Sequence, residues 1–349
     1  MPNTIRESSP YIDDILEQPA ALVRLADAPL PTELRTLDLA RFDRIILTGM
    51  GSSDYAAIPV ERELAARGLP VHRIDAGQLL DIPERVTPNT LLWATSQSGR
   101  SGEIVALTER LTGHHRPSTI IATTNEPGSP LGTIADILLE LHSGPEATVS
   151  TKSYLNTLAA QERAVAALTG VSDASVDDDI RQTAEELTDL LEIWPTLEDL
   201  TEKSWNARNA RFAYVGIQDD AATALTGALI TKEASKVPVE GFIGGAFRHG
   251  PFELAGPSLT VVLFGKGEDS DPFLPRLARD LIASGSTVCT VGPTPYASTI
   301  HLATSSRASR LSRLAIGAVH TQLLTLGFSH ATGEVAGRFR FGQKVTAAL

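Results

Sequence analysis

Cysteine is almost absent from this chain: Cys289 is the only one among 349 residues. That excludes a disulfide framework and a cysteine-based zinc site within one chain. Basic side chains are in deficit, 30 Lys and Arg against 42 Asp and Glu, for a formal net charge of −12. A general nucleic-acid binder carries the opposite balance, so no nucleic-acid partner is expected. An acidic chain can still hold a phosphate locally, through backbone N–H groups and hydroxyls. No stretch reaches the roughly 18 consecutive apolar residues of a membrane span, so no membrane partner is expected. The opening residues, MPNTIRESSPYIDD, lack a basic region followed by an apolar run. No secretory signal is visible there, and a cytoplasmic protein is expected.

What is present is ordinary globular usage, with 42% hydrophobic and 21% charged residues. The length is comfortable for two domains. Short β-rich runs alternate with longer helical patterns, which argues α/β with parallel sheets. Strands are expected at RIILTG (44–49), TLLWAT (90–95), STIIAT (118–123) and DILLEL (136–141). A helix spans Thr151 to about Gly170, and an acidic helical stretch over 171–195 reads as a connector. The scheme then restarts with RFAYVG (211–216), LTVVLFG (259–265) and STVCTVG (286–292), with a weak segment at HLATS (301–305). A last periodic helix runs over about 308–327. The recurring strand–turn–helix order points to an internal duplication.

Five segments could carry chemistry. Gly49-Met50-Gly51-Ser52-Ser53-Asp54 follows a strand and precedes a helix. It reads either as a Ser-capped turn or as an anion-binding one. Ser96-Gln97-Ser98-Gly99-Arg100-Ser101 follows a strand's carboxyl end, the edge at which open α/β sheets bind ligands. A capping box would use one serine; three hydroxyls at i, i+2 and i+5 exceed that need and favour a phosphate site. Ser150-Thr151-Lys152 is either a helix cap or a third hydroxyl-bearing helix start. Glu233 and His249 have residue types suited to acid–base work, although an exposed helical Glu is the commoner case. The tail Arg338–Thr346 is either a frayed end or a flap that delivers the Lys344 amine.

Together, Ser96-Gln97-Ser98-Gly99, Ser150-Thr151-Lys152 and Arg248-His249-Gly250-Pro251 resemble the sugar isomerase (SIS) family. The leader Glu17-Gln18-Pro19 is similar to that family's lead-in. The resemblance runs over nearly the whole chain. It is nearest to the isomerase half of glucosamine-6-phosphate synthase and to stand-alone glucosamine-6-phosphate deaminases and deglycases. It implies two tandem SIS domains, each a five-stranded parallel sheet between helices, in a doubly wound three-layer αβα architecture. The implied organisation is a helical leader at 1–40, SIS domain 1 at 41–170 and a connector at 171–205. SIS domain 2 follows at 206–335, and a tail with Lys344 at 336–349. It also implies a homodimer.

By this resemblance Ser96, Gln97, Ser98 and Ser101 match phosphate-binding positions. Gly51, Ser52, Ser53 and Ser150 belong to the sugar pocket. Glu233 matches the base that moves a proton between C1 and C2. His249, sixteen residues later, matches the ring-opening residue supplied by the neighbouring subunit. Lys344 matches the tail lysine that forms a Schiff base in the synthase. The pattern differs from the synthase at Ile230 and Thr226, and the stretch Glu146–Ser150 is one residue shorter. Such chemistry needs no metal and no cofactor, and none is expected. The leading expectation is conversion of glucosamine 6-phosphate to fructose 6-phosphate and ammonia. A ketosamine-phosphate deglycase, an aldose–ketose isomerase and a non-catalytic sugar-phosphate sensor are the alternatives.

Overall fold

In the computed structural model the described residues are 9–113, 116–192, 211–267, 272–298, 300–304 and 309–346. Residues 1–8 of the expected leader, 193–205 of the expected connector and 347–349 of the tail lie outside them. The chain divides into two compact units. The amino-terminal unit holds Ala20–Glu146, Lys152–Arg181 and Phe341–Leu349, and the carboxyl-terminal unit holds Met1–Pro19, Ala147–Thr151 and Gln182–Arg340. Each end of the chain therefore belongs to the unit built by the opposite half.

Two helices, α1 (Pro10–Leu16) and α2 (Gln18–Asp27), precede the first sheet. The sheet follows as β1 (Arg44–Thr48), α3 (Ser52–Ala56), α4 (Ile58–Ala66), β2 (Val71–Arg73), α5 (Ala76–Asp81) and β3 (Thr90–Thr95). It is completed by α6 (Gly102–Arg110), β4 (Thr119–Thr124), α7 (Pro130–Ile134), β5 (Ile137–Glu140) and α8 (Lys152–Thr169). All pairings are parallel, in the order β2-β1-β3-β4-β5. Alternate strand residues face opposite layers. Ile45, Leu47, Leu91, Trp93 and Ile121 pack with Val60 and Leu64 of α4 and Ala164 and Val165 of α8. Ile46, Leu92 and Ile120 pack with Leu79 and Leu80 of α5 and Leu107 of α6. Covering both faces is why the strands read as continuous apolar runs.

After α9 (Asp173–Glu192), the second sheet is built from β6 (Arg211–Gly216), α10 (Ala221–Ser235), β7 (Val239–Ile243) and β8 (Leu259–Phe264). It closes with α11 (Phe273–Ala283), β9 (Thr287–Gly292), β10 (Ile300–Ala303) and α12 (Arg310–Thr332). Its order is β10-β9-β8-β6-β7, again all parallel. Counted within each half, both sheets run 2-1-3-4-5. One layer is Val215, Val261, Leu263 and Val288 against Leu274, Leu277 and Leu281 of α11. Tyr214 of β6 and Phe264 of β8 meet edge to face at 5.8 Å, as do Phe212 of β6 and Phe328 of α12 at 4.7 Å.

The sequence pattern missed two strands, β2 and β7, at the same place in each half. Both lie at a sheet edge and are only partly buried, so neither shows an apolar run.

A buried ion pair ties the carboxyl-terminal unit together. Arg313 Nε donates to Asp220 at 2.8 and 3.1 Å, and both side chains are under 10% exposed. Burial pushes the Asp220 carboxyl up, against the opposing pull of Arg313. Removing one partner leaves a buried uncompensated charge. Arg313→Met is expected to lose about 3–5 kcal/mol of stability, read by urea unfolding. The double variant Asp220→Asn/Arg313→Met is expected to recover most of that loss.

Candidate active site

The strand order of the first sheet reverses direction between β1 and β3. The chain leaves β1 for α4 on one face and leaves β3 for α6 on the other. The two diverging loops open a crevice at the carboxyl ends of the strands, the usual ligand position in such sheets. The residues that follow those two strands are Gly51, Ser52 and Ser53 after β1, and Ser96, Gln97, Ser98 and Ser101 after β3.

The first loop is pressed against the second strand. A Cβ at Gly49 would stand 2.9 Å from Thr95 O and 3.1 Å from Asp54 N, so no side chain fits there. Gly51 takes φ +54 at the entry to α3. Ser52 is buried and Ser53 half-buried. The following residue, Asp54, is ion-paired to Arg73 at the end of β2. Burial pushes the Asp54 carboxyl up, and Arg73 opposes the shift.

The second loop is held almost entirely by its own backbone and near neighbours. Ser96 N donates to Thr123 O at 3.0 Å, and Ser96 Oγ accepts from Gly99 N at 3.1 Å. Gln97 O accepts from Asn125 N at 2.9 Å and from Thr124 Oγ1 at 3.1 Å. Ser98 Oγ accepts from Arg100 N at 3.2 Å. Gly99 takes φ +59, and a Cβ there would lie 2.6 Å from Ser129 Cβ. Ser129 Oγ accepts from Gly132 N at 3.2 Å and so caps α7. Ser101 is the N-cap of α6, yet its side chain makes no capping bond. The capping-box alternative for this segment is therefore not realised, and the half-buried Ser101 hydroxyl is left over from the local fold.

Lys344 of the tail also belongs to the amino-terminal unit. Its amine is paired to Glu146, whose side chain is fully buried and accepts from Ser153 N at 2.9 Å and Ser153 Oγ at 2.6 Å. Thr346 O accepts from Gly102 N, the first residue of α6, at 2.9 Å. The tail is thus folded onto the unit rather than frayed. The sequence pattern did not single out Glu146 as the partner of Lys344; its position just ahead of Ser150-Thr151-Lys152 was the available signal.

The carboxyl-terminal unit carries the remaining candidates. Ser150 is half-buried, two residues before α8. Glu233 is half-buried in the last turn of α10. Its carbonyl accepts from Lys236, which closes that helix at φ +63. His249 is exposed at the end of the 3-10 turn Gly244–Arg248, with its N–H on Ala246 O at 3.1 Å. Buried Phe247 anchors this turn, and Arg248 ties it to Asp280 of α11 at 2.6 Å.

The SIS domain family model matches residues 38–167, the segment holding the first sheet and both serine loops. This chain carries an SIS domain over that segment. It is 32% identical over 264 residues to glutamine–fructose-6-phosphate aminotransferase (isomerizing) of Pyrococcus horikoshii, across 72% of this chain and 42% of that one. The same-named protein of Staphylococcus aureus is 28% identical over 296 residues, across 80% and 48%. The chain therefore spans less than half the length of these relatives.

Among solved structures, the C-terminal domain of glucosamine-fructose-6-phosphate aminotransferase from Francisella tularensis superposes with a TM-score of 0.81. It is 19% identical and covers 95% of this chain and 99% of that one. Tagatose-6-phosphate ketose/aldose isomerase from Escherichia coli gives 0.79 at 21% identity, with 95% of each chain covered. Glucosamine-6-phosphate deaminase from Thermotoga maritima gives 0.73 at 19% identity, with 97% and 99% covered. These confirm the expected two-sheet SIS architecture. Among the described residues no helix is long and apolar enough to cross a membrane.

The two serines of this site separate by stability alone. Ser129→Ala removes a working cap and is expected to cost about 1 kcal/mol. Ser101→Ala removes a hydroxyl that caps nothing and is expected to stay within about 0.5 kcal/mol of wild type. Chemical denaturation of the two variants reads the difference.

Proposed function

We propose that this chain is a metal-independent enzyme that isomerises and deaminates an amino-sugar phosphate, converting glucosamine 6-phosphate and water to fructose 6-phosphate and ammonia. The observation that carries this reading is the serine-rich turn at the switch point, where Ser98 and Ser101 offer hydroxyls that no helix cap consumes. Neutral donors of this kind suit a phosphate in a chain of net charge −12. The SIS match over the same residues supports the sugar-phosphate class.

In this reading the phosphate is held by Ser96, Gln97, Ser98 and Ser101, and Gly51, Ser52, Ser53 and Ser150 contribute to the sugar pocket. His249 opens the ring, taking the proton of the anomeric hydroxyl and returning one to the ring oxygen. Its exposure supports a role at the surface of a second copy in a homodimer. Glu233 then removes the proton from C2 of the open aldehyde and delivers it to C1. The electron pair of the C2–H bond forms the C1=C2 bond of an enol-amine as the C1 oxygen takes up a proton. Protonation at C1 and loss of an N–H proton, which balances the one gained by the oxygen, leave an imine at C2 and a hydroxyl at C1. Water adds to that imine, the C–N bond breaks, and ammonia leaves as the ketone forms. One carboxylate serves both proton transfers.

The test is release of ammonia and fructose 6-phosphate from glucosamine 6-phosphate by the purified protein. Equal release of both is expected, falling about 10³-fold in Glu233→Gln with binding retained. Binding without release by the wild type would point instead to a sensor, and release from a phosphorylated ketosamine alone to a deglycase.

A further inference from the structure

One carbonyl of the turn after β3 takes two donors from the end of β4. Gln97 O accepts from Asn125 N at 2.9 Å and from Thr124 Oγ1 at 3.1 Å. Thr124 is the last residue of β4 and is fully buried. Its hydroxyl also accepts from Glu126 N at 3.2 Å, so the one O–H donor and an acceptor site are both committed. The turn lies close over it: a Cβ at Gly99 would stand 3.2 Å from Thr124 Oγ1. Asn125 is fixed as well, with Nδ2 on Gly144 O at 3.0 Å and Oδ1 accepting from Ser143 N at 3.0 Å and Ser143 Oγ at 2.9 Å. All of these residues belong to the amino-terminal unit.

A trans peptide is planar, and its C=O and N–H point in opposite directions. Gln97 O faces the residues that end β4, so the N–H of the same peptide, that of Ser98, faces away from them. In the sheet order β1 lies on the side of β3 opposite to β4. Among the described residues the Ser98 N–H has no hydrogen-bond partner. A backbone N–H that the fold leaves over, with its direction fixed, is a donor suited to an anion. Turning the peptide over would put the carbonyl oxygen in its place, which repels an anion instead.

We propose that Thr124 is a positioning residue of the turn after β3: its hydroxyl, with the Asn125 N–H, holds the Gln97–Ser98 peptide so that the Ser98 N–H is presented to an anion in the crevice between the β1 and β3 loops. The inference rests on the sugar-phosphate reading above for the identity of that anion. Thr124 itself touches no ligand, because it is buried and its hydroxyl is spent on Gln97 and Glu126. Threonine suits the task, since its branched Cβ restricts χ1 and so aims the hydroxyl. Valine keeps that shape but leaves Gln97 O with one donor, and the peptide is then held at one point only. Serine keeps the hydroxyl.

The experiment is calorimetric titration of the full chain, as wild type, Thr124→Val and Thr124→Ser, with glucosamine 6-phosphate and with glucosamine. Thr124→Val is expected to bind the phosphate ester about tenfold more weakly, with its affinity for glucosamine within about twofold of wild type. Thr124→Ser is expected to stay within about threefold of wild type for both sugars, since it keeps the donor. Unchanged affinity of Thr124→Val for the ester, an equal loss for both sugars, or the same loss in Thr124→Ser would overturn the proposal. A second arm needs no sugar: hydrogen–deuterium exchange of the Asn125 N–H, read by mass spectrometry with single-residue fragmentation. In the wild type it is expected to exchange at least about a hundredfold more slowly than in a free peptide, and about tenfold faster in Thr124→Val than in the wild type. Free-peptide exchange in the native wild type would overturn the proposal, and that comparison stands even where the valine variant does not fold. A wild type with no preference for the ester would count against the proposed function, while the exchange of Asn125 would still decide whether the turn is clamped.

Discussion

The reversal of strand order between β1 and β3 is the constraint on which the candidate site depends. Two neighbouring parallel strands send their helices to opposite faces, so their outgoing loops cannot pack on one another and a crevice remains. A few close contacts fix the shape of those loops. Gly49 lets the first loop lie against Thr95. Gly99, with its positive φ, lets the second pack against the cap of α7. The polar atoms of that second loop are mostly satisfied by Thr123, Thr124, Asn125 and the loop itself. What remains unspent by the fold, above all the Ser101 hydroxyl, is available to a ligand.

The same topology recurs in the carboxyl-terminal unit with different contents. The loop after β6 carries Asp219 and Asp220 rather than serines, and Asp220 is committed to Arg313. A buried ion pair fills there the kind of position that hydroxyls occupy in the first unit. In the second copy of the frame that loop thus serves structural electrostatics. The carboxyl-terminal unit carries its two candidates on other elements: Glu233 lies in the last turn of α10 and His249 in the loop Gly244–Pro251. Ile230 and Thr226 of α10 are both fully buried, so that helix face is packing surface in this chain.

Much of this was legible in the sequence because buried parallel strands advertise themselves. TLLWAT and RFAYVG are apolar nearly throughout, since both faces are covered. The edge strands Val71–Arg73 and Val239–Ile243 were not legible, because an edge strand that is half exposed has no such run. Of the site, the serine turn was readable from its surplus of hydroxyls. That Ser101 caps without using its side chain was not, because a cap and a ligand site begin with the same residue type. The pairing of Lys344 with Glu146 joins positions 198 residues apart, a separation no local pattern reports. For Glu233 and His249 only the residue types and spacing were readable.

The proposed phosphate site is the turn after β3. Calorimetric titration of the protein with glucosamine 6-phosphate and, separately, with glucosamine tests it most directly. The account predicts that the phosphate ester binds at least about a hundredfold more tightly, since charge-assisted hydrogen bonds to several donors are lost together with the phosphate. Equal affinity for the two sugars would contradict it.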